Sequence, residues 1–312
     1  MIARRTLLGG SAALLSAAAL GRVAAAADPV VRIATLPLDA SGCCYYADDR
    51  GFYKAQHIDA QIQTIPNGGA IVSAVASNAV DIGFTNMVSA ATAFSHGVPI
   101  TIVAPGSLDL EEAPTSALVV PQSSTIMSAR DFEGKTVAVN GIKNITQIAA
   151  QTWIDKNGGD SSKVKFVEMP FPPMIEALAA GRIDGAVVVE PFVAEAKKAS
   201  RVVADAFAAI GPRLLIGCWI AQPAWAKANP GSVAAFARAM ARAADWANAN
   251  RPASALILER VGKLSPDTVA QMARVRYPNA VRTTEMQPVI DVSAKYGLIP
   301  ATFPAQALLF SH

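Results

Sequence analysis

The chain carries one supersecondary unit twice, and that repetition limits the folds open to it. Pro173 to Phe192 reads PMIEALAAGRIDGAVVVEPF. Met174, Ile175, Ala177 and Leu178 supply a helical apolar face. Gly181 stops the helix, Asp184 sits in the turn, and Ala186 to Val189 form an unbroken apolar strand. Ala70 to Phe84, AIVSAVASNAVDIGF, repeats the pattern. At the single offset that sets Asp81 on Asp184, Ile71 falls on Met174, Val72 on Ile175, Ala74 on Ala177, Val75 on Leu178 and Val80 on Ile183. A strand and a proline precede each copy: QIQTIP ending at Pro66 and KVKFVEMP ending at Pro170. Strand, turn, helix, Asp-turn, strand, used twice, predicts two similar α/β lobes.

Residues 1–27 are expected to be an export signal rather than part of the fold. Arg4-Arg5 precede an apolar run from Leu7 to Leu20, and a small-residue stretch, Ala24 to Ala27, offers the cleavage point. The run is too short and too rich in Gly and Ser to span a bilayer. The arginine pair before Thr6-Leu7-Leu8 resembles a twin-arginine signal, with an ordinary Sec signal as the alternative. The leader holds Arg4, Arg5 and Arg22 and no acids, so the excess of 27 Lys+Arg over 24 Asp+Glu belongs to it. The remainder is charge-balanced, which excludes the dense basic face of a nucleic-acid binder. Cys43, Cys44 and Cys218 have no metal-ligand spacing. The adjacent pair is expected as two buried thiols, with a strained vicinal disulfide as the alternative. His57, His96 and His312 are scattered and give no case for histidine catalysis.

After the leader, strands are expected at Val30–Leu36, Ile58–Ile65, Asp81–Phe84 and Ile100–Ala104, with helices between them. The helix after Ser41-Gly42 buries Cys44, Tyr45 and Ala47. Asn67-Gly68-Gly69 and Thr85-Asn86 open the next two helices, and Gly97 closes the second. That alternation argues a mostly parallel sheet with helices on both faces. Ala117–Pro121 has no helix before it and reads as a crossing into the second lobe. There the pattern resumes: helix Ala129–Glu133, strand Thr136–Asn140, helix Ile145–Lys156 opened by Asn144 with Gln147 three residues on, and strand Val164–Met169. Leu214–Ala221 reads as a strand returning to the first lobe. Helices at Pro230–Asn250, Pro252–Gly262, Pro266–Tyr277 and Met286–Tyr296 complete the chain. The expected division is 28–117 with 222–312 as the first lobe, and 118–221 as the second.

This order of lobe, crossing, lobe, return and helical tail resembles the two-crossing (type II) periplasmic-binding-protein fold. More narrowly, the chain resembles the nitrate/sulfonate/taurine and thiamine-pyrimidine-precursor group of ABC-transporter substrate-binding proteins. The stretches that carry the resemblance are CCYYADDRGFYKAQHIDAQI, PNGGAIVSAVASNAVDIGF, FEGKTVAV, ALAAGRIDGAVVVEPF and VIDVSAKYGLI. They run in order over nearly the whole chain after the leader. The resemblance implies a periplasmic monomer that binds a small-molecule ligand and delivers it to a permease in the inner membrane, with no cofactor, no nucleic acid and no enzymatic activity. Two other functions stay open: an enzyme on the same fold, making a pyrimidine or a menaquinone precursor, and a periplasmic sensor subunit. The pyrimidine-forming relatives carry a longer cysteine cluster than Cys43-Cys44, and the expected export signal argues against a cytosolic enzyme.

In open α/β sheets ligands bind beyond the carboxyl ends of the strands. Here those ends lead into Asp39, Ser41, Gly42 and Cys43, into Asn67, Gly68 and Gly69, into Thr85 and Asn86, into Asn144 and Thr146, and to Phe171 and Glu190. Several are helix starts, where free N–H groups and the positive dipole end favour an acceptor or anion. Each asparagine could equally do no more than cap its own helix. Glu190 ends a buried strand before Pro191 and is expected to face the cleft mouth, where a carboxylate would meet a donor, unless a lobe-internal Arg or Lys satisfies it. Tyr45, Tyr46, Phe84, Phe171 and Trp219 are candidates for an aromatic wall, of which one or two are expected to touch ligand.

Overall fold

The computed structural model describes residues 27–311. The expected export signal, apart from Ala27, lies outside the described residues. Ten strands alternate with helices: β1 (Val30–Thr35), β2 (Asp59–Thr64), β3 (Ile82–Asn86), β4 (Thr101–Leu110), β5 (Ser116–Pro121), β6 (Thr136–Val139), β7 (Lys165–Glu168), β8 (Gly185–Val189), β9 (Ser200–Ala204) and β10 (Arg213–Ala221).

The two sheets share one plan, β2-β1-β3-β10-β4 and β7-β6-β8-β5-β9. β1 pairs in parallel with β2 and β3, and β6 pairs in parallel with β7 and β8. β10 is inserted antiparallel between β3 and β4, and β5 antiparallel between β8 and β9. Each inserted strand is reached from the other half of the chain, so the backbone crosses between the sheets twice, at 111–115 and 205–212. This is a two-lobed α/β fold. The strand at 213–221 bonds within the first sheet, so the sheet of the second lobe ends at Ala204, short of the boundary expected at 221.

Apolar runs explain why these strands sit centrally. β8 and β10 are buried along nearly their whole length, as strands covered by helices on both faces must be. Val31, Ile33, Ile82 and Trp219 form the first core, and Leu118, Val119, Val137 and Val187 the second. The paired aspartates of the repeat make equivalent contacts. Asp81 Oδ2 accepts the Arg32 N–H at 2.8 Å and returns its own N–H to Arg32 O at 2.9 Å. Asp184 Oδ2 accepts the Thr136 N–H at 2.8 Å and returns its N–H to Thr136 O at 2.9 Å. Each aspartate thus ties the strand it opens to that strand's parallel partner, β1 in one lobe and β6 in the other. Asp81 adds an ion pair to Arg32.

The helical tail packs mainly on the first lobe. Pro230–Ala249 lies against Gly42–Asp49 and β4, and Thr283–Lys295 lies against Met87–Ser95 and β10. Two expectations fail here. Tyr46, rather than Tyr45, is the tyrosine that the Gly42–Asp49 helix fully buries. The helix expected over Pro266–Tyr277 stops at Gln271. Residues 272–277 instead form an extended strap that bridges to β4, with the Leu108 N–H donating to Arg276 O at 2.8 Å. Tertiary partners for the strap's N–H groups replace the helical bonds it would otherwise make.

Candidate functional site

The carboxyl ends of the parallel strands in both lobes face one another across a cleft of about 620 Å³, its open mouth included. From the first lobe it is lined by Leu36, Leu38, Gly68, Phe84, Asn86 and, on β10, Gly217; from the second by Asn140, Asn144, Thr146, Phe171, Val189 and Glu190. Val275 of the strap and Phe207 of the second crossing add two more apolar walls.

Seven of the residues chosen from the sequence line this cleft: Gly68, Phe84, Asn86, Asn144, Thr146, Phe171 and Glu190. Asn67 lines the adjoining groove that opens past Phe171 and Phe192. The asparagines are caps as well. Asn67 Oδ1 accepts the Ala70 N–H, Asn86 Oδ1 the Ser89 N–H, and Asn144 Oδ1 the Thr146 N–H. Asn86 Nδ2 spends one N–H on Ser89 Oγ at 2.9 Å, leaving a second.

The other chosen residues stand outside the lining, for reasons of packing. Ser41 Oγ donates to Leu36 O and Leu38 O within its own loop. A Cβ on Gly42 would meet Tyr277 Oη at 2.6 Å. Cys43 is buried in the helix, and all three cysteines are free thiols. Burial pushes the Cys44 thiol up to about 12 and raises Cys43 as well, so neither is a nucleophile near neutral pH. Gly69 faces solvent. Thr85 Oγ1 donates to Gly68 O at 3.0 Å, and so shapes the turn from behind. Trp219 is fully buried, edge-on to Phe84 and Phe236 with centroids 5.2 and 5.3 Å apart. Of the five aromatic candidates, Phe84 and Phe171 reach the cleft.

Asp39 is the clearest departure. Its carboxylate is 1% exposed and lies behind the cleft wall. It accepts from Arg274 Nε at 3.0 Å, the Val275 N–H at 2.9 Å and Tyr277 Oη at 2.8 Å. These bonds fasten the strap to the first lobe and set Val275 against the cleft.

Glu190 ends β8 at the cleft and is 3% exposed. Among the described residues, no Arg or Lys forms an ion pair with it, and its hydrogen bonds come from backbone N–H groups. Oε2 accepts the Ala194 N–H at 3.1 Å from its own lobe, and Oε1 accepts the Ala273 N–H at 2.9 Å from the strap. Burial pushes its carboxyl up to about 7, against the opposing pull of the Ala273 and Ala194 N–H groups and of Lys197, while Asp39 adds to the rise.

Among the residues not foreseen from sequence, Asn140 is the most informative. Its Oδ1 accepts from Asn144 Nδ2 at 3.0 Å and from Thr146 Oγ1 at 2.9 Å, which turns Nδ2 into the group left over for a ligand. Its signal was available: it directly follows β6, the strand matching β1. Among the described residues, no Lys, Arg or His lines the cleft, and Glu190 is the one ionisable side chain that does. No group of His, Cys, Asp and Glu among the described residues is arranged to hold a metal. The cleft is therefore an apolar slot with donor-rich amides at the helix starts and a carboxyl at the end of β8, the strand beside β6, which suits capture of a small molecule.

Two α/β lobes joined by two crossings thus enclose one cleft. The NMT1/THI5-like family profile matches residues 40–255, and the chain belongs to that family. It is 30% identical over 194 residues to the taurine-binding periplasmic protein of Escherichia coli K12, a match covering 61% of this chain and 58% of that protein. The chain thus spans little more than half the length of that relative. Its fold is shared with solved structures at low identity. The alkanesulfonate-binding protein of Xanthomonas axonopodis pv. citri, bound to MOPS, superposes with a TM-score of 0.74 at 16% identity, over 90% of this chain and 98% of that one. A ligand-binding component of an ABC-type import system from Staphylococcus aureus gives 0.77 at 18%, over 91% and 96%. The nitrate-binding protein of Synechocystis PCC 6803 gives 0.72 at 13%, over 89% and 84%.

Proposed function

We propose that this chain is the solute-capturing component of an ABC importer, working in the periplasm as a monomer and passing its ligand to an inner-membrane permease. The observation that carries this reading is the cleft lined from both lobes by apolar side chains, amides and one carboxyl. The similarity to a taurine-binding periplasmic protein supports it. In this reading the leader is removed near Ala27.

The solute is a small organic molecule with an apolar body, a donor and an acceptor. Its acceptor meets Asn86, Asn140 and the helix start at Asn144, where amide N–H groups and the dipole point inward. Its donor meets Glu190. Aminated sulfonates and amino-substituted heteroaromatics fit this polarity, whereas a bare inorganic anion leaves the Glu190 carboxyl opposed and without a cation. Mass spectrometry of the molecule that co-purifies with the exported protein identifies the solute. Calorimetry with that solute then tests the site: Glu190→Gln keeps the shape and removes the charge, and is expected to weaken binding by about 1.5–3 kcal/mol, roughly ten- to a hundredfold. An affinity within about twofold of the parent protein would remove Glu190 from the contact set.

A further inference from the structure

We propose that Glu190 is a proton-linked latch between the lobes: closing them seals its carboxyl against the Ala273 N–H and takes up one proton from solvent. The geometry is specific. Glu190 belongs to the second lobe, at the end of β8, and Ala273 belongs to the strap that Asp39 fastens to the first lobe. The 2.9 Å bond between them spans the cleft, so it exists when the lobes are together. In that state the carboxyl is 3% exposed.

The charges around it do not offset that burial. Lys197, past the end of its own helix, is exposed to solvent and lowers its proton affinity only in part. Asp39, on the opposite lobe, raises it, and Arg274 beside Ala273 is committed to Asp39. Two backbone N–H groups favour the ionised form, yet desolvation outweighs them and the carboxyl titrates at about 7 when sealed. Separating the lobes returns it toward water and toward the ordinary carboxylate range, about 4.3. The sign follows from linkage. An acid whose proton affinity is higher in the closed state favours closure as pH falls through 7, and loses that contribution above it. The closing constant is expected to be about tenfold larger at pH 6 than at pH 8.5. A donor on the solute and the proton then compete for the same carboxyl.

The inference rests on the solute-binding reading only in taking the lobes to open and close, so its test is run without solute. Small-angle scattering of the purified protein from pH 8.5 to 6 at fixed salt, on the order of one Debye length below 10 Å, reads lobe separation directly. The radius of gyration is expected to fall with decreasing pH, the fall setting in as pH drops below about 7. Glu190→Gln, which has no proton to take up, is expected to show no dependence on pH over this range. Lys197→Gln, an exposed change that removes the one nearby cation lowering the carboxyl's proton affinity, is expected to move that onset to higher pH. A flat parent profile overturns the latch and leaves the solute reading intact, as does a pH step that survives in Glu190→Gln. Should Glu190→Gln fail to fold, an onset unmoved in Lys197→Gln overturns it instead.

Discussion

Asp39 holds three donors of one strap on a carboxylate that water hardly reaches. Removing it leaves the Arg274 guanidinium, itself mostly buried, facing no counter-charge. Asp39→Ala is therefore expected to cost about 3–5 kcal/mol of unfolding free energy, read as a lower urea midpoint. A second residue-scale effect concerns pH. Burial pushes Asp109 up to about 6 and Glu190 up to about 7. Both acids bind their protons more tightly folded than unfolded, so stability is greatest at low pH and declines as pH rises from about 4 through those values. The protein is expected to be more stable at pH 5 than at pH 8 by roughly 2–4 kcal/mol, measured by urea titration at each pH, and a reversed order would contradict it. Asp109→Asn, which can keep an acceptor for the Thr115 N–H and hydroxyl, should remove its share of the slope. Glu190 and the capping asparagines were legible in sequence because strand ends and helix starts are local patterns. Asp39 was legible as a polar loop residue but not as a buried ion pair, because its partner is far along the chain and no local rule links them. Val275 was lost because the residues around it read as helix.

The repeated element was legible for a physical reason that the lobes make explicit. A side chain of short reach with an acceptor oxygen can bond a neighbouring strand's N–H while its own N–H closes the same ring, and Asp81 and Asp184 both do this through Oδ2. Asp184→Ala is expected to cost about 1–3 kcal/mol by leaving the Thr136 N–H without its partner, and a loss under half of that would make the contact incidental. β9 was not read at all: SRVVA is short, half-buried and at a sheet edge, so it lacks the apolar run that marks central strands. β10 was read correctly as a strand, but its local irregularity was not. At Gly217 the register slips, and a Cβ there would lie 2.3 Å from Phe84 Cζ. Gly217→Ala must displace the Phe84 ring that lines the cleft and packs on Trp219. It is expected to cost about 1–3 kcal/mol and to weaken solute capture together with stability, seen as parallel losses in thermal midpoint and calorimetric affinity.

At the scale of the whole molecule, the order of crossings was open to sequence reading because an apolar strand with no helix before it, at Ala117, breaks the strand–helix alternation of the first lobe. The exact lobe limits were not, since β10 looks the same in sequence whichever sheet it joins, and only its pairing with β3 and β4 assigns it. That exchange of one strand in each direction has a mechanical consequence. Each sheet is anchored by a strand that the chain enters from the other lobe, so the crossings at 111–115 and 205–212 are two parallel tethers. Two tethers side by side permit rotation about the line joining them and resist twisting, which is the geometry of a hinge. Tyr296, closing the last helix of the first lobe, donates to Asp155 Oδ2 of the second at 2.7 Å, and Glu190 reaches Ala273. A solute bound between the lobes adds contacts available only when they are together, and shifts the equilibrium by that difference in affinity. Saturating the protein with its co-purifying solute at constant pH is therefore expected to reduce the radius of gyration in small-angle scattering. Superimposable profiles with a solute of proven affinity would mean that the cleft captures without closing, and would return Glu190 and the strap to a purely static role.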